Sequence, residues 1–407
     1  MVTITNDSHR PSSASNTRIL NQPHTKSWFA CPSIRHNMAN SKPIGRKPFG
    51  QRAQKAIKQT KTPPLKITNM PLKIALLGYY GHLNAGDDLL RNSMEQLLKE
   101  HRLMISAWDP PLALLNEADL IVCGGGSLWP ERKFLLDLLK NPRTLKKPYM
   151  VIGISAKRKN EASEHATERL VNSSVFFHVR DNETKQALGA ISRINVGADL
   201  FWWSEWEPTS HANPEPNTLA LALRDTQDLA WQPHEIINSL RGAGLKLLSF
   251  PFYFGSPLHD KRATQTDSAF MSALGVDYPH QAWTPAPAQR SEVVIAMRYH
   301  AIHVAVRLGK PVIGLDCHPK IRSFFNENGL PELCIAPSQP AALVAAVSHV
   351  LKNKTEYEEK FKSLSLRFIN QGKLDRAIFL EHIAKIESNL PADRNTLRSF
   401  FSKFVRK

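Results

Sequence analysis

The sequence predicts an α/β protein with two Rossmann-like domains that face a central cleft, followed by a helical C-terminal region. From Lys73 onward, short apolar runs alternate with amphipathic stretches. The apolar runs are continuous rather than alternating, which is typical of parallel strands covered by helices on both faces. The pattern stops at a break rich in tryptophan and proline, Phe201–Asn217, and then restarts. Such a break predicts a hinge between two domains.

Residues 1–69 are predicted to form a disordered basic leader. They hold 12 Lys and Arg but a single acid, Asp7, and so carry most of the net charge of +17. Their Ser, Thr, Asn, Pro and Gln content cannot support a packed core. Three interpretations remain open: a basic arm, an organelle transit peptide, or an upstream extension of a chain that starts at Met70. The last two are preferred, and no nucleic-acid partner is expected.

The first domain is predicted over residues 70–205 as a mostly parallel sheet with helices between most strands. Its strands are expected at Lys73–Leu77, Leu103–Trp108, Asp119–Cys123, Tyr149–Ile154, Val175–Val179 and Ile194–Val196.

The second domain is predicted over residues 206–335, and residues 336–407 are predicted to be helical. Two consecutive domains of this kind are typical of a glycosyltransferase-B-like architecture, in which ligands bind in the cleft at the carboxyl ends of both sheets. Strands are expected at Leu219–Leu223, Leu245–Ser249, Val293–Met297 and Val312–Leu315, and helices at His234–Arg241, Tyr299–Leu308 and Ile321–Asn328.

The chain has no apolar run of the roughly 18 residues that a membrane-spanning helix needs and no apolar signal core at its start. We therefore expect a cytoplasmic protein. The four cysteines form no Cys-x-x-Cys pair, so neither disulfides nor structural zinc are expected. Thr396–Lys407 has apolar residues at helical spacing beside basic ones. This segment is either a docked terminal helix or a peripheral contact with anionic lipid on the inner face of the membrane.

The segment Gly78–Asp88, after the first strand, is the first candidate ligand loop. It is longer than a simple βα turn requires, and a helix is expected to begin at Asp87 or Asp88. Asn84 and Gly86 are candidate substrate contacts, because glycine and asparagine allow close backbone approach. Asp87 is either a helix cap or a functional carboxylate. The loop lacks the dinucleotide fingerprint, and the chain has no Walker motif.

A run of three glycines and a serine follows the predicted strand that ends at Cys123. Gly125, Gly126 and Ser127 are candidate substrate contacts, although a tight turn would give the same pattern. Arg180-Asp181 is interpreted as a strand-end ion pair or a helix cap rather than as a substrate contact. Asp199 is interpreted in the same way.

The second domain places cations at two strand ends that face the cleft. Arg224 follows Leu219–Leu223, and Arg298 and His300 follow the strand at Val293. Arginine cannot lose its proton, so these cations imply an anionic ligand or matching internal acids. His300 is expected in the first turn of the next helix, with a functional role, and His303 is interpreted as structural.

In their order and spacing, these motifs resemble those of the polysaccharide pyruvyl transferase family. The resemblance covers about Lys73–Leu333 and includes Lys310-Pro311 and Pro319-Lys320. The sequence departs from the family pattern at His318, where aspartate is usual, and at Ile152–Ser155. The resemblance implies a glycosyltransferase-B-like fold, phosphoenolpyruvate as donor, and no cofactor or metal. It also implies a sugar or lipid-linked saccharide acceptor, which receives pyruvate as a ketal bridging two hydroxyls.

The resemblance implies that Arg224 and His300 hold phosphoenolpyruvate, and Arg298 belongs to the same motif. Ketal formation requires an acid near the donor, and His300 is the candidate. Asp87 is the candidate to orient or deprotonate the sugar hydroxyl. The alternative function is a nucleotide-sugar-dependent glycosyltransferase of the same architecture, which would also need basic residues in the second domain.

Overall fold

The computed structural model describes residues 71–106, 112–129, 145–156, 164–207, 213–226, 231–255, 266–280 and 282–390. All of them belong to one compact unit of the chain. The predicted leader and the amphipathic segment Thr396–Lys407 lie outside these ranges. Within the described ranges, no helix has the combined length and apolar character needed to cross a bilayer.

The first half forms a six-stranded parallel sheet with the strand order β2-β1-β3-β4-β5-β6. Residues 120–123 of β3 are all buried, as expected for a strand covered on both faces. The strands are β1 (Lys73–Leu77), β2 (Arg102–Ser106), β3 (Leu120–Trp129), β4 (Tyr149–Ala156), β5 (Phe176–Val179) and β6 (Asn195–Val196). The helices are α1 (Ala85–Leu97), α2 (Leu112–Leu115), α3 (Glu164–Ser173) and α4 (Asn182–Ala187), followed by a 3₁₀ turn, Leu200–Trp203.

The second half forms a five-stranded parallel sheet with the order β11-β10-β9-β7-β8. Its strands are β7 (Thr218–Ala222), β8 (Lys246–Ser249), β9 (Val293–Ala296), β10 (Val312–Leu315) and β11 (Cys334–Ile335). The helices are α5 (Pro233–Gly242), α6 (Asp267–Ala273), α7 (Ala286–Arg290), α8 (Tyr299–Arg307), α9 (Pro319–Glu327), α10 (Pro340–Lys352) and α11 (Lys354–Ser388), with a 3₁₀ turn at Pro331–Leu333.

The predicted fold class is confirmed, and several details of the structure differ from the prediction. Helix α1 begins at Ala85, because the Asn84 side chain accepts a hydrogen bond from the Gly86 amide at 3.2 Å and caps the helix. The start of the predicted hinge is a buried 3₁₀ turn, because Trp202 and Trp203 pack inside the protein. The short edge strand β11 is not predicted by the apolar pattern. The domain boundaries stay a prediction.

Backbone hydrogen bonds join the two halves at the start of α1. The Ala85 amide donates to the Phe252 carbonyl at 2.7 Å, and the Phe254 amide donates to the Leu83 carbonyl at 2.9 Å. Leu83 has a φ of 52°, a left-handed conformation that costs energy for a branched side chain. The loop before α1 is therefore held in place by the loop after β8.

Helix α11 crosses back over the first half. Asp375 of this helix accepts a hydrogen bond from the Ala198 amide at 2.7 Å. A Cβ on Gly372 would lie 2.3 Å from the Trp202 carbonyl oxygen, so only glycine allows the helix to approach the 3₁₀ turn this closely. These contacts hold the segment that contains Asp199 against α11.

Candidate active site

The first turn of α1 places the Asp87 carboxylate in the cleft. Asp87 is buried, and burial raises its pKa above the usual range, although the nearby charges of His300 and Lys320 oppose this shift. The hypothesis that Asp87 caps α1 is wrong, because Asn84 does so. Asp88 points the other way and accepts a hydrogen bond from the Gly81 amide at 3.2 Å. Asp87 is thus a buried carboxylate without a capping role.

The glycine run lies inside β3 rather than in a loop after it. Gly125 and Gly126 have φ values of 79° and 85°. A Cβ on Gly125 would lie 2.7 Å from the Leu90 side chain, and one on Gly126 would lie 2.9 Å from an oxygen of Asp87. These glycines therefore allow α1, with Asp87, to pack close to β3. The Ser127 hydroxyl lies 3.1 Å from that of Ser155.

A buried ion pair lies beside this helix. Arg180, just after β5, donates to an oxygen of Asp199 at 3.0 Å and to the Ser155 hydroxyl at 2.8 Å. The other Asp199 oxygen accepts from the Phe201 amide at 3.0 Å. Asp181 caps α4 through the Thr184 amide at 2.6 Å, which confirms the cap predicted for the Arg180-Asp181 motif.

His300 lies in the first turn of α8, as predicted, and faces the first half of the chain. Its Nε2 atom is 3.8 Å from an oxygen of Asp199. Burial alone would raise the pKa of Asp199, but His300 and Arg180 outweigh it and hold that pKa below its usual range. A Cβ on Gly86 would lie 2.3 Å from His300 Nδ1. Gly86 is therefore the point where α1 and the histidine meet.

Arg298 is held by an acid within the chain. Its Nε donates to Asp267 Oδ2 at 2.8 Å, and its second guanidinium nitrogen binds Asp267 Oδ1. The Asp267 carboxylate also accepts the amides of Phe252 and Tyr253, both at 3.0 Å. This ion pair fixes the loop after β8, so Arg298 helps to position that loop.

Arg224 and Lys320 bring two further positive charges to the cleft. Arg224 is half-buried just beyond β7, and Lys320 lies in the first turn of α9. Burial lowers the pKa of Lys320 to about 7, with the charges of Arg180 and Arg224 adding to this effect and Asp87 opposing it. Lys320 is also stacked over the Tyr299 ring, 5.4 Å from its centroid.

Sequence reasoning did not assign a role to Lys320, although the residue lies in one of the motifs. A lysine in the first turn of a helix opposes the helix dipole, and this signal could have identified it. The departure at His318 has a simple structural outcome. Its Nδ1 atom accepts a hydrogen bond from the Lys320 amide at 3.3 Å and caps α9, a position that aspartate also favours.

His303 is buried one turn after His300, as its structural interpretation expects. Its Nδ1 accepts a hydrogen bond from the Trp202 indole at 2.8 Å. Burial lowers the pKa of His303 to about 3, so the ring is neutral. The imidazole therefore joins α8 to the 3₁₀ turn of the first half.

The cleft thus holds an arrangement suited to acid–base chemistry on an anionic substrate. Asp87 and His300 come from opposite halves, and each affects the other electrostatically. Arg224 and Lys320 supply positive charge, while Asp199 lies behind the histidine. A carboxylate with a raised pKa opposite a histidine can exchange protons with bound hydroxyls.

Several solved structures are similar to this chain at low sequence identity. A putative UDP-N-acetylglucosamine 2-epimerase from Listeria monocytogenes is 12% identical, with a TM-score of 0.50 over 79% of this chain and 98% of that one. The UDP-GlcNAc 2-epimerase from Methanocaldococcus jannaschii is 12% identical, with a TM-score of 0.48 over 77% and 100%. CalG4, the calicheamicin glycosyltransferase, is 13% identical, with a TM-score of 0.42 over 79% and 99%. The first similarity and the two parallel sheets confirm the glycosyltransferase-B-like fold.

Comparison with curated protein sequences gives no significant match. The family model for polysaccharide pyruvyl transferase, in contrast, matches residues 48–263. The match contains Asp87, the glycine run, Arg180, Asp199 and Arg224, and it ends before Arg298 and His300. Since it spans more than half of the chain, the protein belongs to the polysaccharide pyruvyl transferase family.

Proposed function

We propose that this protein transfers the pyruvyl group of phosphoenolpyruvate to two hydroxyls of one sugar, with the formation of a ketal and the release of phosphate. One observation supports this most strongly. Lys320 interacts electrostatically with both Arg224 and Asp87, and Asp87 interacts with His300, so donor-type cations and an acid–base pair share one cleft. Membership of the family makes pyruvyl transfer the activity to test first.

The donor carries a carboxylate and a phosphate, and the cleft offers matching cations. Arg224 suits the fixed geometry of a carboxylate or phosphate, which an arginine can bind through two nitrogens. Lys320 adds a charge that a bound phosphate would favour, because an anion nearby raises the pKa of a lysine. These two side chains can offset most of the roughly three negative charges of the donor, and no metal ion is proposed.

The proton transfers balance within the cleft. In the proposed reaction His300 protonates the methylene carbon of phosphoenolpyruvate, and the first sugar hydroxyl attacks the adjacent carbon and loses its proton. The bond from that carbon to the phosphate oxygen then breaks, the second hydroxyl attacks, and its proton leaves with the phosphate. Asp87 is the proposed acceptor of both hydroxyl protons: it returns the first to His300 and passes the second to the released phosphate, and its raised pKa suits it to this relay.

Asp199 is proposed as a positioning residue for His300. It lies 3.8 Å from His300 Nε2, and its second oxygen is held by Arg180 at 3.0 Å. A buried carboxylate with a lowered pKa remains charged, so Asp199 stays available as a partner for the imidazole. Arg180 in turn prevents the carboxylate from rotating away. This arrangement keeps the proposed acid oriented toward the cleft.

The acceptor is proposed to be a sugar of a surface polysaccharide or of its lipid-linked precursor. This proposal follows from membership of the family. Action in the cytoplasm, on a precursor at the inner face of the membrane, is part of the same proposal.

Calorimetric titration with phosphoenolpyruvate tests the donor. Arg224→Ala should weaken binding about tenfold or more, which corresponds to losing a charged hydrogen-bonded contact of roughly 1.5–3 kcal/mol. Arg241→Ala is the matched control, because Arg241 is on α5 and donates to the Gly275 carbonyl away from the cleft. If the unmodified protein ignores phosphoenolpyruvate and binds a uridine or guanosine diphosphate, the glycosyltransferase alternative replaces the proposal.

A further inference from the structure

We propose that a pocket bordered by α4, α8, α9 and α11 binds the acceptor, and that it holds one uncharged sugar ring. Only one part of this inference rests on the proposed function, namely that the bound sugar ring is the acceptor of pyruvate. The pocket has a volume of about 260 Å³. Ligand pockets are usually roughly 300–1,000 Å³, so this one suits a single small ring rather than a nucleotide.

The charges of the pocket walls favour a neutral ligand. Arg180, Lys320 and Arg367 contribute positive charge, and Asp181, Asp199 and Glu327 contribute negative charge. Arg180 and Asp199 already neutralise each other at 3.0 Å. A site for a phosphate would instead carry a clear positive excess, because an anion loses its hydration on binding.

His303, which lines the pocket, carries an unused hydrogen-bond donor. Since the Trp202 indole can only donate, the Nδ1 atom of His303 must accept, and the neutral ring carries its proton on Nε2. Only 2% of His303 is exposed, and its Nε2 has no hydrogen-bond partner among the described residues. His303 lines the pocket, so a ligand oxygen there would satisfy this N–H group.

The other residues that line the pocket suit a ligand with several hydroxyl groups. Asn182 and Gln371 carry amides that can donate and accept, as a hydroxyl does, whereas the amide of Asn328 already bonds the Phe324 carbonyl and Arg367. Phe368 and Tyr299 add aromatic surface against which the C–H groups of a sugar can pack. Amides beside aromatic rings fit a polyhydroxylated ring better than they fit a purely apolar ligand.

The pocket adjoins the catalytic cluster through two of its lining residues, Asp199 and Lys320. Asp199 lines it and also lies 3.8 Å from His300 Nε2. Lys320 lines it as well and interacts electrostatically with Asp87 and Arg224. The ring centroids of His300 and His303 are 6.2 Å apart. A sugar held here can therefore extend a pair of hydroxyls toward the proposed donor.

The test fills the pocket from a residue that is not itself proposed to bind the donor. Ser323 lines the pocket from α9, and Ser323→Phe should occupy its space. We expect at least a tenfold rise in the KM for the acceptor, with the Kd for phosphoenolpyruvate unchanged. Ser272→Phe is the control, since Ser272 is exposed on α6 and does not line the pocket. Asn182→Ala, a milder change at an exposed position, should raise the acceptor KM several-fold.

Saccharide binding is also measured directly by saturation-transfer NMR, with galactosides and N-acetylmannosaminides and without any donor. Binding to the unmodified protein and to Ser272→Phe, but not to Ser323→Phe, supports the pocket whichever donor is correct. Equal binding to Ser323→Phe would contradict the assignment of this pocket to the acceptor and would leave the proposed function unaffected. A protein that binds sugars in the pocket but ignores phosphoenolpyruvate would overturn the proposed donor instead.

Discussion

At the scale of single residues, the cleft depends on close approach between a glycine and a histidine. Gly86 and His300 belong to different halves of the chain, and any side chain at position 86 would overlap the imidazole. The histidine is held from the other side by Asp199, which is fixed by Arg180. Three contacts thus define the orientation of the proposed general acid.

Gly86→Ala should therefore reduce turnover about 10²-fold, because small displacements of a catalytic group have large effects on rate. Gly242→Ala is the matched control: it is also a helical glycine, but a Cβ there meets no atom within 4 Å. Steady-state kinetics of both variants, with thermal midpoints to exclude unfolding, is the measurement. Normal turnover in Gly86→Ala would mean that the observed contact with His300 is not used in the reaction.

The lowered pKa of Lys320 predicts that the binding of phosphoenolpyruvate depends on pH. Its pKa of about 7 is below the 10.5 of an ordinary lysine, so it loses its positive charge as the pH rises above about 7. The affinity for phosphoenolpyruvate should fall by up to about tenfold per pH unit above this value. The fall should level off above the pKa that Lys320 has in the complex with the donor.

Lys320→Arg is the control for this effect, because arginine stays charged throughout the range and should flatten the pH profile. Calorimetry between about pH 7 and pH 9 avoids the second ionisation of the phosphate, which occurs near pH 6. An identical slope in the unmodified protein and in Lys320→Arg would show that another group causes it.

At the scale of elements, α11 determines the position of the segment that contains Asp199. The helix reaches the 3₁₀ turn through Gly372, and Asp375 binds the Ala198 amide one residue before Asp199. Gln371 also donates to Asp375 at 2.8 Å, which holds that carboxylate in place. A helix distant in sequence therefore orients a residue of the cleft.

Gly372→Ala should lower the free energy of unfolding by about 1–3 kcal/mol, because a methyl group would overlap the rigid Trp202 carbonyl. Chemical denaturation with Gly242→Ala as the reference measures this difference. A stability for Gly372→Ala equal to that of the reference would contradict the packing described for α11.

At the scale of the whole molecule, the fold could be predicted from the sequence, because continuous apolar strands are a local signal. The cation-bearing strand ends, Arg224 and Arg298, could also be located in this way. The role of the glycine run could not be predicted, because the glycines are needed where α1 packs close to β3, and that contact is not a local feature of the sequence. Likewise, the partner of Arg298, Asp267, lies in an element that no local pattern predicts. These contacts depend on packing between distant segments.

The central claim is that the cleft transfers pyruvate from phosphoenolpyruvate to a sugar. The most direct test supplies phosphoenolpyruvate labelled with ¹³C at the carbon that bears the phosphate, together with galactoside and N-acetylmannosaminide acceptors. We expect a labelled ketal carbon attached to two sugar oxygens, with one phosphate released for each ketal, and no such product from His300→Ala. Phosphate release without label in the sugar, or sugar modification only from a nucleotide-sugar donor, would contradict the account.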